Sequence, residues 1–469
     1  MNILVLTSKE NFVWHSMQEI IPHIENSWLH SNKRSFDVAV LDIDKLKLEE
    51  IVPHALRATH IVLTCFNYKI FKIATFLREN LALPINFIIY VHNMATIAFW
   101  PFRNWSQTNF FRANDIFITS CENDLKTLHA VFNKPQVVKF PFYLLNAVEN
   151  YLNKPFSQIS DLVYIGRLSP QKNLHNLILA YSIIQKKKSL VLPPLTLFGK
   201  EDDLGSPNME LKQTGYLDYL KGLVNELDLT SSIHFLGHQS RESINRFLTE
   251  KRCLAISPSL HSDENFGMAI LQSLVAGNHC LISNWGGHSD FKNYFSERTT
   301  LMNVNSSFRG PILSAQTIAD SIESKLKGPV SEATIQIHPD YNIEDRLPGI
   351  IDLLKLKFSA DLLGFSPLAN SIYHQKQNLF GKSQMQIFAD YQDPLFHEIS
   401  AFYIGKGNQT KKFDPQTKYG LVPWVEVQNA RYKIKDPHKG EFILAVENKD
   451  SLKLLFESGY LIREDESAC

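Results

Sequence analysis

The sequence predicts an α/β protein of two doubly wound domains facing a central cleft, with a small α+β appendage after them. Three observations lead there. Residues 1–145 alternate short β-rich runs with longer amphipathic stretches, the alternation restarts at "DLVYIG", and the composition changes from about residue 362. Strand–helix alternation implies a mostly parallel sheet covered on both faces. Two such sheets in tandem leave a cleft outside the carboxyl ends of their strands, where open α/β sheets take ligands.

In the first half "NILVLT", "FDVAVL", "HIVLTC", "INFIIYV", "DIFITS" and "QVVKF" read as strands, being apolar, β-branched and short. Between them "SMQEIIPHIENSWLH", "YKIFKIATFLREN" and "ENDLKTLHAVF" carry apolar residues at helical spacing. A polar stretch, "NAVENYLNKPFSQIS", interrupts the rhythm as a linker. In the second half "DLVYIG", "LTLFG", "SIHFLG", "CLAISPS" and "CLISN" read as strands, with helices near 172–187, 217–228, 240–250 and 267–277. The expected domains are 1–145, 160–340, a closing helix at 341–361 ("NIEDRLPGIIDLLKLKFSA") and an accessory α+β segment at 362–469. In that last segment "GEFILAVENKDSLKLLFESGYLI" has the pattern strand, helix, strand.

The chain has 469 residues, room for about three domains. Its 48 Lys and Arg balance 48 Asp and Glu, which argues against nucleic-acid binding through bulk charge. Five cysteines (Cys65, Cys121, Cys253, Cys280 and Cys469) show no paired spacing. Four lie in or beside apolar strand-like runs, as small buried thiols do. An odd, unpatterned count suggests a reducing compartment and no zinc site. The opening "MNILVLTSKEN" lacks the basic flank and long apolar run of a signal peptide, and no run is long enough to span a membrane. A cytoplasmic location is expected.

Chemistry is concentrated at two places. Strand "DLVYI" ends at Gly166, followed by Arg167 and then Lys172 where a helix begins. Glycine allows close backbone approach, and two cations beside a helix N-terminus form an anion site suited to a diphosphate. The same pair would also stand as solvated cations at an ordinary turn. Further on, "CLAISPS" runs into "LHSDENFG", placing Glu264 at the mouth of the cleft, with Gly267 as a corner. The N–H groups of Met268 and Ala269 then open a helix whose buried stripe is expected to be Leu271, Leu274 and Val275. Gln272, one turn on, falls on the face of the open helix end, where its amide could reach a hydroxylated ligand. Alternatively Asp263 and Glu264 cap the helix and Gln272 satisfies a buried backbone group.

Together "GRLSPQKN" and "PSLHSDENFGMAILQSLVAGNHCLISNWGG" resemble the retaining glycosyltransferases of family four, whose fold is GT-B, two Rossmann-like domains about a cleft. The resemblance spans roughly residues 1–358 and is strongest over 161–290. It implies sugar transfer from a nucleoside-diphosphate sugar to a hydroxyl acceptor on a glycan, glycolipid or protein, with no metal and no cofactor beyond the donor itself. The first domain would serve the acceptor and the second the donor. Arg167 and Lys172 match the diphosphate-binding pair, Glu264 the glutamate facing the donor sugar, and Phe266 and Gly267 the corner, all of them counted with Gly166 among the expected donor-binding residues. The amides of Met268 and Ala269 fall where the family holds phosphate and sugar oxygens. His92, ending "FIIYVHN", matches a histidine beside the donor sugar; its plainer role is a bond within its own turn.

Three positions depart from the pattern. Gln272 stands where the family has a ribose-binding glutamate, so a neutral amide replaces charge-assisted bonds. The first loop, "TSKENFVWHS", has no glycine pair and carries Trp14 and His15 instead. "VKFPFYLLN" replaces the usual Asn-Gly turn. The first two of these motivate a second reading, a catalytically degenerate GT-B protein that binds nucleotide or glycan. Family members acting on lipid-linked acceptors leave peripheral membrane contact open, although no basic amphipathic helix stands out.

Overall fold

The computed structural model describes residues 1–9, 15–31, 36–65, 68–92, 110–141, 158–188, 190–201, 213–261, 264–307, 310–328, 350, 352–367, 411–412, 424–428, 431–436 and 440–445. The chain divides into two compact units, one holding Met1–Leu145, Ile337–His397 and Asn448–Ser451, the other Asn146–Gln336, Glu398–Glu447 and Leu452–Cys469.

In the first unit six parallel strands are β1 (Asn2–Thr7), β2 (Asp37–Asp42), β3 (His60–Leu63), β4 (Asn86–Val91), β5 (Ile116–Thr119) and β6 (Gln136–Lys139). Their order is β2-β1-β3-β4-β5-β6. β3, β4 and β5 are buried along their whole length, as parallel strands covered on both faces must be. Helices α1 (His15–Ser31), α2 (Leu48–Ala55), α3 (Tyr68–Thr75) and α4 (Glu122–Val131) alternate with them. A π-turn, Phe76–Asn80, extends α3, and it carries Arg78 into the core beside Asp115. Helix α2 is not among the helices expected from periodicity; Pro53 interrupts its short pattern.

In the second unit the strands are β7 (Asp161–Ile165), β8 (Leu195–Phe198), β10 (Ile233–Gly237), β11 (Cys253–Ser257), β12 (His279–Ser283) and β13 (Thr299–Met302). They are parallel in the order β10-β8-β7-β11-β12-β13. The sixth strand, "TTLM", is too short and polar to announce itself. Around it lie α5 (Leu174–Lys187), α6 (Tyr216–Glu226), α7 (Arg241–Glu250), α8 (Met268–Val275), α9 (Phe291–Tyr294) and α10 (Ala315–Lys327). Leu174, Leu177, Ile178 and Tyr181 of α5 recur at helical spacing, and they bury against Leu162, Leu254 and Ile256 of the sheet and Ile318 and Ile322 of α10. Each such side chain contributes about 1.5–3 kcal/mol on burial. Ser240 and Ser314 cap α7 and α10, accepting from Ser243 and Thr317. Between β8 and α6 a short strand, β9 (Gln213–Thr214), pairs with Lys411–Lys412.

The stretch expected to close the second domain belongs instead to the first. Residues 350 and 352–354 are helical and 341–349 lie outside the described residues. Beyond them the chain runs extended along the first unit: Leu363 N–H donates to Phe111 O, Asn133 N–H to Gly364 O, and Asn86 Nδ2 to Leu356 O. Its apolar residues thus cover the far end of β4–β6 and do not extend α10. Of the accessory segment, Trp424–Gln428, Arg431–Asp436 and Gly440–Ala445 form an antiparallel three-stranded sheet. The helix and final strand expected after "GEFILA" lie outside the described residues. No helix among the described residues is long and apolar enough to cross a membrane. Cys65, Cys121, Cys253 and Cys280 are buried and form no disulfide among the described residues.

Candidate functional site

Both sheets reverse direction of winding at one point, between β1 and β3 in the first unit and between β7 and β11 in the second. A crevice forms at such a switch, because the connections on either side leave to opposite faces. In the second unit the loops after β7 and β11 carry Arg167, Lys172, Ser259, His261 and Glu264, so sheet order brings the two separated motifs together.

Gly166 ends β7 at φ +154°, and a Cβ there would lie 2.8 Å from the Tyr164 hydroxyl. Gly199, ending β8, would drive a Cβ to 1.8 Å from Gly166 O. Gly199 is therefore needed for the ends of β7 and β8 to approach each other, and Gly166 leaves room for the Tyr164 hydroxyl, a local reason for it beside its expected ligand role. Pro170–Lys172 form a single 3-10 turn, and Asn173 at φ +58° joins it to α5, with Asn173 Nδ2 bonded to Leu313 O at 2.9 Å. That tight turn aims Lys172 across to the β11 loop.

There Lys172 Nζ lies 2.6 Å from Glu264 Oε2 and 3.2 Å from Ser259 Oγ, which itself donates to Glu264 Oε2. Burial pushes the Glu264 carboxyl up. Lys172 outweighs that and holds it well below the usual carboxylate range. Burial keeps His261 and His288 below their ordinary values, so both are neutral at neutral pH and Lys172 is the cation that matters. An ammonium has three donors, and two are committed here among the described residues; the third can serve an anion. Arg167 Nη2 lies 3.2 Å from His261 Nε2.

The loop is braced from β12. Gly287 N–H donates to Glu264 O at 2.6 Å, and Trp285 Nε1 donates to His261 O at 2.8 Å. A Cβ on Gly287 would lie 1.7 Å from Asn265 O, so this glycine exists for backbone contact with the Glu264 loop. His288 Nε2 sits 3.6 Å from Glu264 Oε1. Ser259, His261, Trp285, Gly287 and His288 are the parts of the site that sequence reasoning missed; the Gly-Gly pair after "CLISN" is the signal that could have led to the last three.

Gly267 turns the chain at φ +83°, and α8 begins at Met268. Among the described residues nothing accepts from the N–H groups of Met268 and Ala269, the open end of that helix. Phe266 departs from a ligand-facing role: its ring is buried and packs against Phe291 at 5.6 Å. The buried stripe of α8 is Ile270, Leu271 and Leu274, with Val275 half-buried, because the helix ends there. Gln272 is half-buried and its Nε2 donates to Asn245 Oδ1 of α7 at 2.5 Å, so it satisfies a side chain and not a buried backbone group.

His92 lies in the first unit at the end of β4. Its Nε2–H donates to Thr64 O at 2.6 Å, across to the end of β3 and not within its own turn. Burial pushes this imidazole down to about 4, against a smaller upward pull from the Thr64 bond, so it is neutral. Trp14 is outside the described residues; Ser8 and Lys9, opening the first loop, are held by Asp44, which pairs with Lys69 at 2.8 Å. Among the described residues no group of three or more His, Cys, Asp or Glu could hold a metal ion.

Two six-stranded parallel sheets, each with a switch point, define a two-domain Rossmann-like fold of the GT-B kind. Residues 155–299 match the family described as glycosyl transferases group 1, the segment that carries the site. A trehalose-6-phosphate structure from E. coli, bound with UDP-2-fluoro glucose, has the same fold at a TM-score of 0.50 and 11% identity, covering 76% of this chain and 99% of that one. HepE of Anabaena in complex with UDP and glucose aligns at 0.48 and 13% identity, over 77% of this chain and 96% of its own. No curated protein matches the chain. The family match covers residues 155–299, and the likeness to the solved structures is one of fold.

Proposed function

We propose that the protein transfers a sugar from a nucleoside-diphosphate sugar to a hydroxyl acceptor with retained anomeric configuration, without a metal. The observation that carries this reading is that Lys172 pairs with Glu264 at 2.6 Å, while Arg167 of the same loop meets His261 of the Glu264 loop at 3.2 Å and the open N–H groups of Met268 and Ala269 follow Glu264 in that loop. Arg167, Lys172 and the helix end stabilise charge growing on the departing diphosphate. Glu264, ionised at neutral pH, has no proton to give and accepts hydrogen bonds from sugar hydroxyls. The acceptor oxygen bonds to the anomeric carbon on the face the diphosphate leaves, and the acceptor proton passes to a phosphate oxygen. His92 borders the donor sugar in this reading.

Donor screening starts with UDP-sugars, since a neighbour of the same fold is bound with such an analogue. The expected result is a glycoside of the donor's own configuration, formed equally after chelation. An inverted product, or chelator-sensitive turnover, would sink the corresponding part of the proposal.

A second reading, nucleotide binding without turnover, draws on Gln272, whose amide is engaged by Asn245. If Gln272 still serves the ribose, Gln272→Glu strengthens that bond and lowers donor KM by about three- to tenfold, with kcat little changed. An unchanged KM removes Gln272 from the binding set.

A further inference from the structure

We propose that His261 is a positioning residue for Arg167, holding the guanidinium in one orientation while its main chain fixes the backbone of Glu264. This rests on the transferase reading of the site.

Arginine carries donors only, so the 3.2 Å contact from Arg167 Nη2 makes His261 Nε2 the acceptor and places the ring proton on Nδ1. The ring is in turn held by its backbone at three points. His261 N–H donates to Ser259 Oγ at 3.3 Å, and its carbonyl accepts from Trp285 Nε1 at 2.8 Å and from Glu264 N–H at 3.1 Å. Only 5% of the residue is exposed, so it acts on the ligand through its neighbours. One residue thereby couples the loop after β7, the loop after β11 and the turn after β12. A carboxylate at this position would orient Arg167 equally well but would cancel its charge; a neutral imidazole orients the cation and leaves the charge for a phosphate.

The charged groups facing His261 among the described residues are Arg167, Lys172 and Glu264. Burial first, then Lys172 and Arg167, press its pKa well below the ordinary value, against a pull upward from Glu264. Protonating Nε2 would set a donor against a donor beside Arg167. At neutral pH Nε2 therefore stays an acceptor for Arg167.

The test is a double-mutant cycle on the full chain: wild type, His261→Ala, His261→Gln, Arg167→Ala and the double alanine variant. Donor KM, kcat and UDP affinity are read between about pH 5 and pH 9. Removing the acceptor is expected to lower donor kcat/KM about tenfold, with UDP affinity falling too, because Arg167 meets the diphosphate both bound and departing. Glutamine, which keeps an acceptor oxygen, restores most of the loss. The double variant binds no worse than Arg167→Ala alone. Additive effects in the cycle, or a glutamine variant as weak as alanine, overturn the proposal. Should no donor be turned over, the transferase reading falls, while the same cycle in UDP affinity still decides the role of His261. Absence of UDP binding as well overturns both.

Discussion

Replacing Lys172 with methionine is expected to cost about 3 kcal/mol of stability and to slow turnover on the order of 10²–10³-fold. The two effects have different origins. Lys172 and Glu264 side chains are 14% and 11% exposed, so their pairing takes place largely out of water. Methionine fills the space of the lysine stem but strands the Glu264 carboxylate beside neutral imidazoles, and a buried charge that loses its partner is costly. On the proposed transferase reading, turnover falls because the donor that would meet growing phosphate charge is gone. The double variant Lys172→Met with Glu264→Gln separates them: stability returns towards wild type, and turnover does not. The pH dependence follows from Glu264, whose folded pKa lies below its unfolded value near 4.3. Its contribution is full above that unfolded value and drains away as pH falls through it towards the folded pKa. In Lys172→Met that acid-side loss shrinks, since the folded carboxyl is no longer held down. Thermal unfolding between about pH 3 and pH 7 reads this. A double variant as unstable as the single one would show that the pair does not carry the stability.

How far the site was legible depended on how local its causes were. Arg167, Lys172 and Glu264 stand out because a cation at a strand end, or a carboxylate before a glycine corner, declares its chemistry within a few residues. Ser259, His261 and His288 do not, for their partners sit on loops after three different strands. They meet only because β7, β11 and β12 are neighbours, which is a property of sheet order. Gln272 shows the same limit: helical spacing put it one turn after Met268, while its partner Asn245 belongs to another helix. Phe266 was assigned from a motif to the ligand side, yet packing against Phe291 claims its ring. Both sheets were readable as α/β alternation, since fully buried strands are continuous apolar runs. The path of residues 352–367 was not, because an extended chain bonded through its backbone to Phe111 and Asn133 leaves no periodic trace.

Asp115→Ala is expected to be the most destabilising single change in the first unit, about 3–5 kcal/mol, or a melting temperature lower by about 10 °C. Asp115 accepts from Arg78 Nη1 at 2.7 Å and Nη2 at 2.8 Å, and from the N–H groups of Phe87 and Arg112, each at 2.8 Å. Arg78 also donates to Phe110 O and Ile85 O, and its guanidinium lies 4.2 Å from the Phe87 ring centroid. With 2% and 0% side-chain exposure, both charges have left water entirely. Removing the carboxylate leaves a buried guanidinium and two backbone donors without acceptors, and frees the turn that receives Asp361 and Leu363. Asp115→Asn, retaining one acceptor oxygen, falls between wild type and alanine. Arg78→Met with Asp115→Leu removes both charges and should recover part of the loss, because apolar replacements of a buried pair avoid its desolvation cost. Calorimetric unfolding of the four proteins gives the order directly: wild type above the paired replacement, and the paired replacement above Asp115→Ala. If Asp115→Ala melted within about 2 °C of wild type, the ion pair would be incidental to the core and the turn at Phe110–Asp115 would be held by its phenylalanines alone.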